Sequence, residues 1–220
     1  MGQTGKKRQF IVMGLGRFGR SVAQTLHDMG YMVLGIDRDE AIVQSASAGL
    51  TNVMQFDIRD ADALSEIDVG QFDAAVIAVK ELESSLMCTM LCQEAGIKEI
   101  IVKAINERHA KMAENLGATR IIFSERDTGR QVAHRLALSN VLNYVELDDS
   151  IHIVTIKVPQ EFLGKNLAEM EFRKRYHLNV VAVRTQETVM LPPDPKRAFQ
   201  EEDQLVLIGQ KEYFKRFEAE

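Results

Sequence analysis

Tryptophan is absent from this 220-residue chain and cysteine occurs only twice, so neither a disulfide framework nor a cysteine-rich metal cluster can organise the fold. Proline is scarce at four residues and glycine stands at fourteen, which excludes collagen-like and low-complexity chains. No run approaches the ~20 consecutive apolar residues of a membrane helix. A net charge of -5 argues against a generally basic nucleic-acid binder, and no helix-turn-helix or basic patch stands out, so a DNA regulator is not expected. The opening MGQTGKKRQF passes from a short basic stretch into a strand without an apolar signal region, and a cytosolic chain is expected.

The two cysteines, Cys88 and Cys92, lie one helical turn apart. Buried helix packing accounts for them better than a redox pair or half a metal site. His27, His109, His134, His152 and His177 are scattered and offer no ligand spacing, so no metal held by Cys or His is expected.

What the chain does have is a 45% hydrophobic content, enough to build a sizeable core. Apolar runs at 9–14, 31–36, 52–56, 73–79, 99–103 and 120–123 alternate with helical patterns near 17–29, 39–48, 60–66, 82–95 and 107–116. Continuous apolar strands alternating with helices predict an α/β, Rossmann-like, doubly wound parallel sheet. Residues 126–147 read as one longer helix with Val132, Leu136 and Val141 near one stripe. Beyond it, strands at 150–158, 178–185, 187–193 and 203–210, with a short helix around 166–176, predict a small antiparallel α+β module. A boundary near residue 145 separates a nucleotide domain (1–145) from this module (146–220).

The stretch VMGLGRFGRSV carries the strongest chemical signal. Gly14-x-Gly16-x-x-Gly19 follows a strand and opens a helix, the dinucleotide fingerprint in which glycines permit a tight turn, backbone approach to phosphates and close helix packing. Asp37, at the end of the second strand, is placed to accept hydrogen bonds from both ribose hydroxyls, which favours a free 2′-hydroxyl. Asp57, ending the third strand, suits either the adenine edge or a helix N-cap. Arg17, inside the loop, is either a phosphate ligand or a solvated residue at a helix start. A hydride-transfer enzyme needs a positioned acid or base beyond its cofactor. No Tyr-x-x-x-Lys arrangement or other catalytic set is present, so binding without catalysis is expected. An NAD-dependent oxidoreductase is the rival reading.

FIVMGLGRFGRSVAQTL, GIDRDE, FDIRDADAL, AVIAV and SERDTGRQVAHRL, with GKNLAEMEFRKRYHLNVVAVRT and DQLVLIGQ, make nearly the whole chain resemble the RCK (regulator of K⁺ conductance) cytosolic subunits of Ktr/Trk-type potassium uptake systems. The resemblance implies an RCK-N nucleotide domain, a crossover helix that pairs subunits, and a small RCK-C (TrkA-C) ligand-sensing module. It also implies a homo-dimer assembling into an octameric ring that gates a membrane potassium channel or transporter, peripheral to the inner face of the cell membrane. ATP and ADP are the implied ligands, with NAD or NADH the alternative found in Trk-type members.

By the same resemblance, Gly14, Gly16, Arg17, Phe18, Gly19, Asp37, Arg38, Asp57, Ile58, Ala78, Lys103 and Glu125 are the candidate nucleotide contacts. Arg17 would reach a γ-phosphate and Glu125 would help hold a divalent cation or Na⁺ at the phosphates. Cyclic di-AMP is the implied ligand of the C-terminal module, with Arg173, Val181 and Pro193 as candidates. His177 and Leu178 stand there where the family more often has a small residue.

Overall fold

The run QFIVM forms β1 (Gln9–Met13), and its uninterrupted apolar character has a simple cause: both faces are covered. Because strand side chains alternate, Ile11 and Met13 join a core with Ile36, Ile77, Ile100 and Val102 on one side. Phe10 and Val12 join Leu15, Val33 and Val76 on the other. The computed structural model describes residues 7–57, 67–137, 141–148 and 150–214, and the expected helix at 60–66 lies outside them.

After β1 come α1 (Arg17–Asp28), β2 (Met32–Asp37), α2 (Glu40–Ser47), β3 (Asn52–Gln55), β4 (Ala74–Ile77), α3 (Leu82–Glu94), β5 (Glu99–Lys103), α4 (Glu107–Asn115) and β6 (Arg120–Ile122). The six strands form one parallel sheet in the order β3-β2-β1-β4-β5-β6. The chain leaves β1 toward β2 and β3, then returns to the far side of β1 with β4. The carboxyl ends of β1 and β4 therefore flank the switch point, the place where such sheets open a ligand crevice. Cys88 and Cys92 are fully buried on α3. Burial pushes the Cys92 thiol up to about 12, and burial with the neighbouring Cys92 pushes Cys88 up as well. Both stay protonated and unreactive at neutral pH, as packing residues should.

The chain divides into two units, Met1–Ser124 and Glu125–Glu220. The long helix expected over 126–147 is corrected by the structure. Helix α5 spans Ser124–Ala137, and VLNYVE forms β7 (Val141–Glu146). Val141, Tyr144 and Val145 favour a pleated strand, and Val141 and Tyr144 bury there while β7 pairs antiparallel with β8 (Ile151–Lys157). A boundary near 145 would divide β7, which lies whole within the second unit.

The second sheet is five-stranded and antiparallel, in the order β10-β9-β11-β8-β7. It adds β9 (Asn179–Arg184), β10 (Val189–Met190) and β11 (Gln204–Gln210). The strand expected over 187–193 is thus two residues long. Burial alternates along β8, with His152, Val154 and Ile156 turned inward. The short helix α6 (Phe172–Tyr176) brings Phe172 and Tyr176 against Phe162. Asp203, 2% exposed, is clamped by Arg197 through two hydrogen bonds of 2.5 and 3.0 Å and accepts the Gln200 N–H at 2.9 Å. That clamp fixes the turn into β11.

Candidate nucleotide-binding cleft

The glycine loop leaves β1 in a conformation few residues could share. Gly14 has φ +91°, and a Cβ there would stand 2.9 Å from the Ala78 carbonyl carbon. At Gly19 a Cβ would collide with the Gly14 carbonyl oxygen at 1.9 Å, so α1 packs on the loop only with glycine present. Gly16 differs: a Cβ would meet nothing within 4 Å, because this residue faces the open crevice. Three glycines thus serve the turn, the open approach and the close packing that the fingerprint requires.

Main-chain bonds fix the loop between neighbouring strands. Gly14 N–H donates to Ile36 O at 2.7 Å and Ala78 N–H to Met13 O at 2.8 Å. Asp37 completes the frame, its Oδ2 accepting the Leu15 N–H at 2.7 Å and its Oδ1 the Asp39 N–H at 3.1 Å. Gly16 is the N-cap of α1, which among the described residues has no side-chain cap and no acid in its first turn. Asp39 caps α2 and Asn106 caps α4. The amino end of α1 therefore presents backbone N–H groups and a positive dipole end to the crevice, the arrangement that suits a diphosphate.

The crevice is a cavity of ≈ 320 Å³. The expected residues Gly14, Gly16, Asp37, Arg38, Asp57 and Ala78 all line it, drawn from the carboxyl ends of β1, β2, β3 and β4. Arg17 is the exposed first residue of α1, and Phe18 is half-buried against the core beside it. Lys103 ends β5 with its Nζ 5.8 Å from the Phe18 ring. Ile58 lies outside the described residues. Glu125 stands in the first turn of α5, in the second unit, and is not among the described residues that line the cavity. No group of His, Cys, Asp and Glu suited to a metal ion occurs among the described residues.

Sequence reasoning missed part of the wall: Asp39, Ile42, Lys80, Glu81 and Ser84 also line the cavity. Lys80 and Glu81 directly follow the apolar run of β4, and that position was the available signal, since residues just past parallel strands face the crevice. Arg38 Nη2 meets Glu81 Oε1 at 2.8 Å, and Ser84 Oγ donates to Glu81 Oε2 at 3.2 Å.

In the C-terminal unit a second cavity, ≈ 380 Å³, is lined by Leu167, Glu171, Arg173, Lys174, Leu178 and Val180 among others. Arg173 is thus at a cavity. Val181 is the unpaired residue where β9 shifts register against β11, since Val206 faces Ala182 and Leu207 faces Val180. Val181 and Pro193 are not part of this lining, and Val180 supplies the strand's apolar contribution.

Comparison with known proteins agrees with this architecture. Residues 10–124 match the TrkA-N domain family and residues 151–220 the TrkA-C domain family. The chain is 34% identical over 216 residues to the Ktr system potassium uptake protein A of Bacillus subtilis (strain 168), covering 98% of this chain and 97% of that relative. The Ktr system potassium uptake protein C of the same organism is 32% identical over 213 residues, 96% of each chain. Among solved structures, the GsuK RCK domain superposes with a TM-score of 0.54 at 19% identity, covering 99% of this chain and 47% of that one. At that identity the likeness is one of fold.

Proposed function

Because the chain belongs to the TrkA family of Ktr-type potassium uptake proteins, with TrkA-N and TrkA-C domains in one polypeptide, we propose that it is a non-enzymatic nucleotide-binding subunit that gates a membrane potassium channel or transporter from the cytoplasmic side. The observation that carries this reading is the crevice at the β1/β4 switch point. It joins an open Gly16, the amino end of α1 and the Asp37 carboxylate in one cavity. Asp37 suits a ribose, the helix end suits a diphosphate, and Arg17 beside it suits a further phosphate. ATP and ADP are therefore the ligands of choice. NAD or NADH is the alternative, since Asp37 and the glycines serve all of them.

The subunit works as a homo-dimer assembled into a ring. Val132 and Leu136, one turn apart on α5, are 47% and 82% exposed in the single chain and suit burial against a second copy. Glu125, at the start of the same helix, helps hold a cation at the phosphates. A second ligand, cyclic di-AMP, enters the C-terminal cavity beside Arg173. Gating follows when ATP and ADP differ in affinity for two ring shapes, because a ligand shifts an equilibrium only by that difference.

Native mass spectrometry of the purified protein tests the reading, since a retained nucleotide identifies itself by mass. Retained ATP or ADP, tight binding of both and no hydride transfer are the expected results. Turnover of NADH with a small carbonyl would replace the regulatory subunit with an oxidoreductase.

A further inference from the structure

We infer that Glu81 is a specificity-determining residue of the crevice: by engaging Arg38, it keeps that guanidinium from serving as a 2′-phosphate receptor, so the site takes adenine nucleotides with a free ribose 2′-hydroxyl. The inference rests on the nucleotide reading of the cavity and extends it to a residue outside the glycine loop.

Arg38 directly follows Asp37, the ribose acceptor of that reading, and both line the cavity. An arginine near the end of the second strand is what dinucleotide folds use to accommodate a 2′-phosphate, and a planar guanidinium matches phosphate geometry well. Asp37 favours a free 2′-hydroxyl, but an unengaged Arg38 next to it would offer a 2′-phosphate a receptor. The fold decides the matter by bringing in a residue from the start of α3. Glu81, at the N-cap of α3, meets Arg38 Nη2 at 2.8 Å across 43 positions of chain. Its second carboxylate oxygen accepts from Ser84 Oγ at 3.2 Å, and Ser84 is buried on α3, so the carboxylate is oriented toward Arg38.

The surrounding charge acts in the same direction. Asp37, Asp39, Asp57 and Glu81 all line the cavity, against Arg38 and Lys80. A 2′-phosphate at the Asp37 ribose would therefore meet carboxylates and an arginine already paired, and like-charge contact in a partly enclosed site is unfavourable. The pair is half-exposed and contributes little to stability. Its effect is on which ligand Arg38 can serve.

The test compares two probes that differ only at the 2′ position, 5′-AMP and adenosine 2′,5′-bisphosphate, by calorimetric titration of the full chain, with ADP as a reference ligand. Wild type should favour 5′-AMP. Glu81→Gln should shift the affinity ratio toward the bisphosphate by about tenfold, the size of one charge-assisted hydrogen bond. Glu81→Asp, which keeps the charge, should hold the wild-type preference. Arg38→Gln placed on Glu81→Gln should cancel the shift. ADP binding with the same ratio in wild type and Glu81→Gln overturns the inference alone. Failure of wild type to bind ADP overturns the nucleotide reading, and the inference with it.

Discussion

Asp37 Oδ2 accepts the Leu15 N–H at 2.7 Å, tying the end of β2 to the glycine loop that follows β1. The carboxylate thus braces the loop as well as facing the crevice, and substitutions can separate the two roles. Asp37→Ala should leave the Leu15 N–H without its acceptor, at a cost of about 1–3 kcal/mol, and should weaken ATP, ADP and NADH together, since all present the same ribose hydroxyls. Asp37→Asn keeps an acceptor for Leu15 and should recover more stability than affinity. Thermal melts and calorimetric titrations of the two variants read both effects. Unchanged affinity for all three ligands would remove Asp37 from the site.

Arg17 opens α1 with its side chain exposed beside the open Gly16. If it reads a third phosphate, Arg17→Ala should weaken ATP roughly ten- to hundred-fold, the effect of losing a charge-assisted contact, while ADP loses much less. Glu125→Gln should reduce the dependence of ATP binding on divalent ions without abolishing ADP binding. Equal losses for ATP and ADP in Arg17→Ala would confine the arginine to the diphosphate.

The exposed Val132 and Leu136 of α5 should be covered by a second copy in solution. Light scattering at micromolar concentration should report a dimer or larger assembly, and Val132→Asp with Leu136→Asp should shift the mass toward one chain. A wild-type mass of one chain would deny the assembly, and an assembled double variant would place its surface elsewhere.

The nucleotide half of the fold was legible because local signals agreed with the final arrangement. Apolar strands alternated with helices, and the glycine spacing fell between a strand and a helix, where Gly14 and Gly19 are sterically required. Residues 141–146 are the exception: the helical spacing of Val132, Leu136 and Val141 outweighs, in the sequence, the strand character of VLNYVE that the fold realises. Pairing with β8 decides that segment, and a distant partner is invisible to local periodicity. Glu81 was missed for a related reason: only the position of β4 beside β1 brings it to Arg38. In the C-terminal unit, the register shift at Val181 in β9 depends on pairing with β11 and cannot be read from an apolar run.

His109 gives a pH dependence whose sign follows from its contacts. The ring is fully buried, with Nδ1 accepting the Ile105 N–H at 3.3 Å and Nε2 lying 3.1 Å from Ser85 Oγ on α3. An acceptor at Nδ1 requires the neutral ring with its proton on Nε2, directed at Ser85. Protonation would place a charge in the core and turn Nδ1 into a donor facing another donor, and burial accordingly lowers the folded-state pKa below the ordinary 6.5. The unfolded chain therefore binds more protons than the folded chain in the window below 6.5. Stability from this group is complete above that value and declines as pH falls toward the lowered folded pKa. The thermal midpoint of the wild type should drop between pH 8 and pH 5.5, and His109→Gln should reduce that drop. His109→Ala, which leaves Ser85 Oγ and the Ile105 N–H without these contacts and opens a cavity, should cost about 2–4 kcal/mol at pH 8. A wild type and His109→Gln with the same slope of stability against pH would show that the ring titrates alike in folded and unfolded chains.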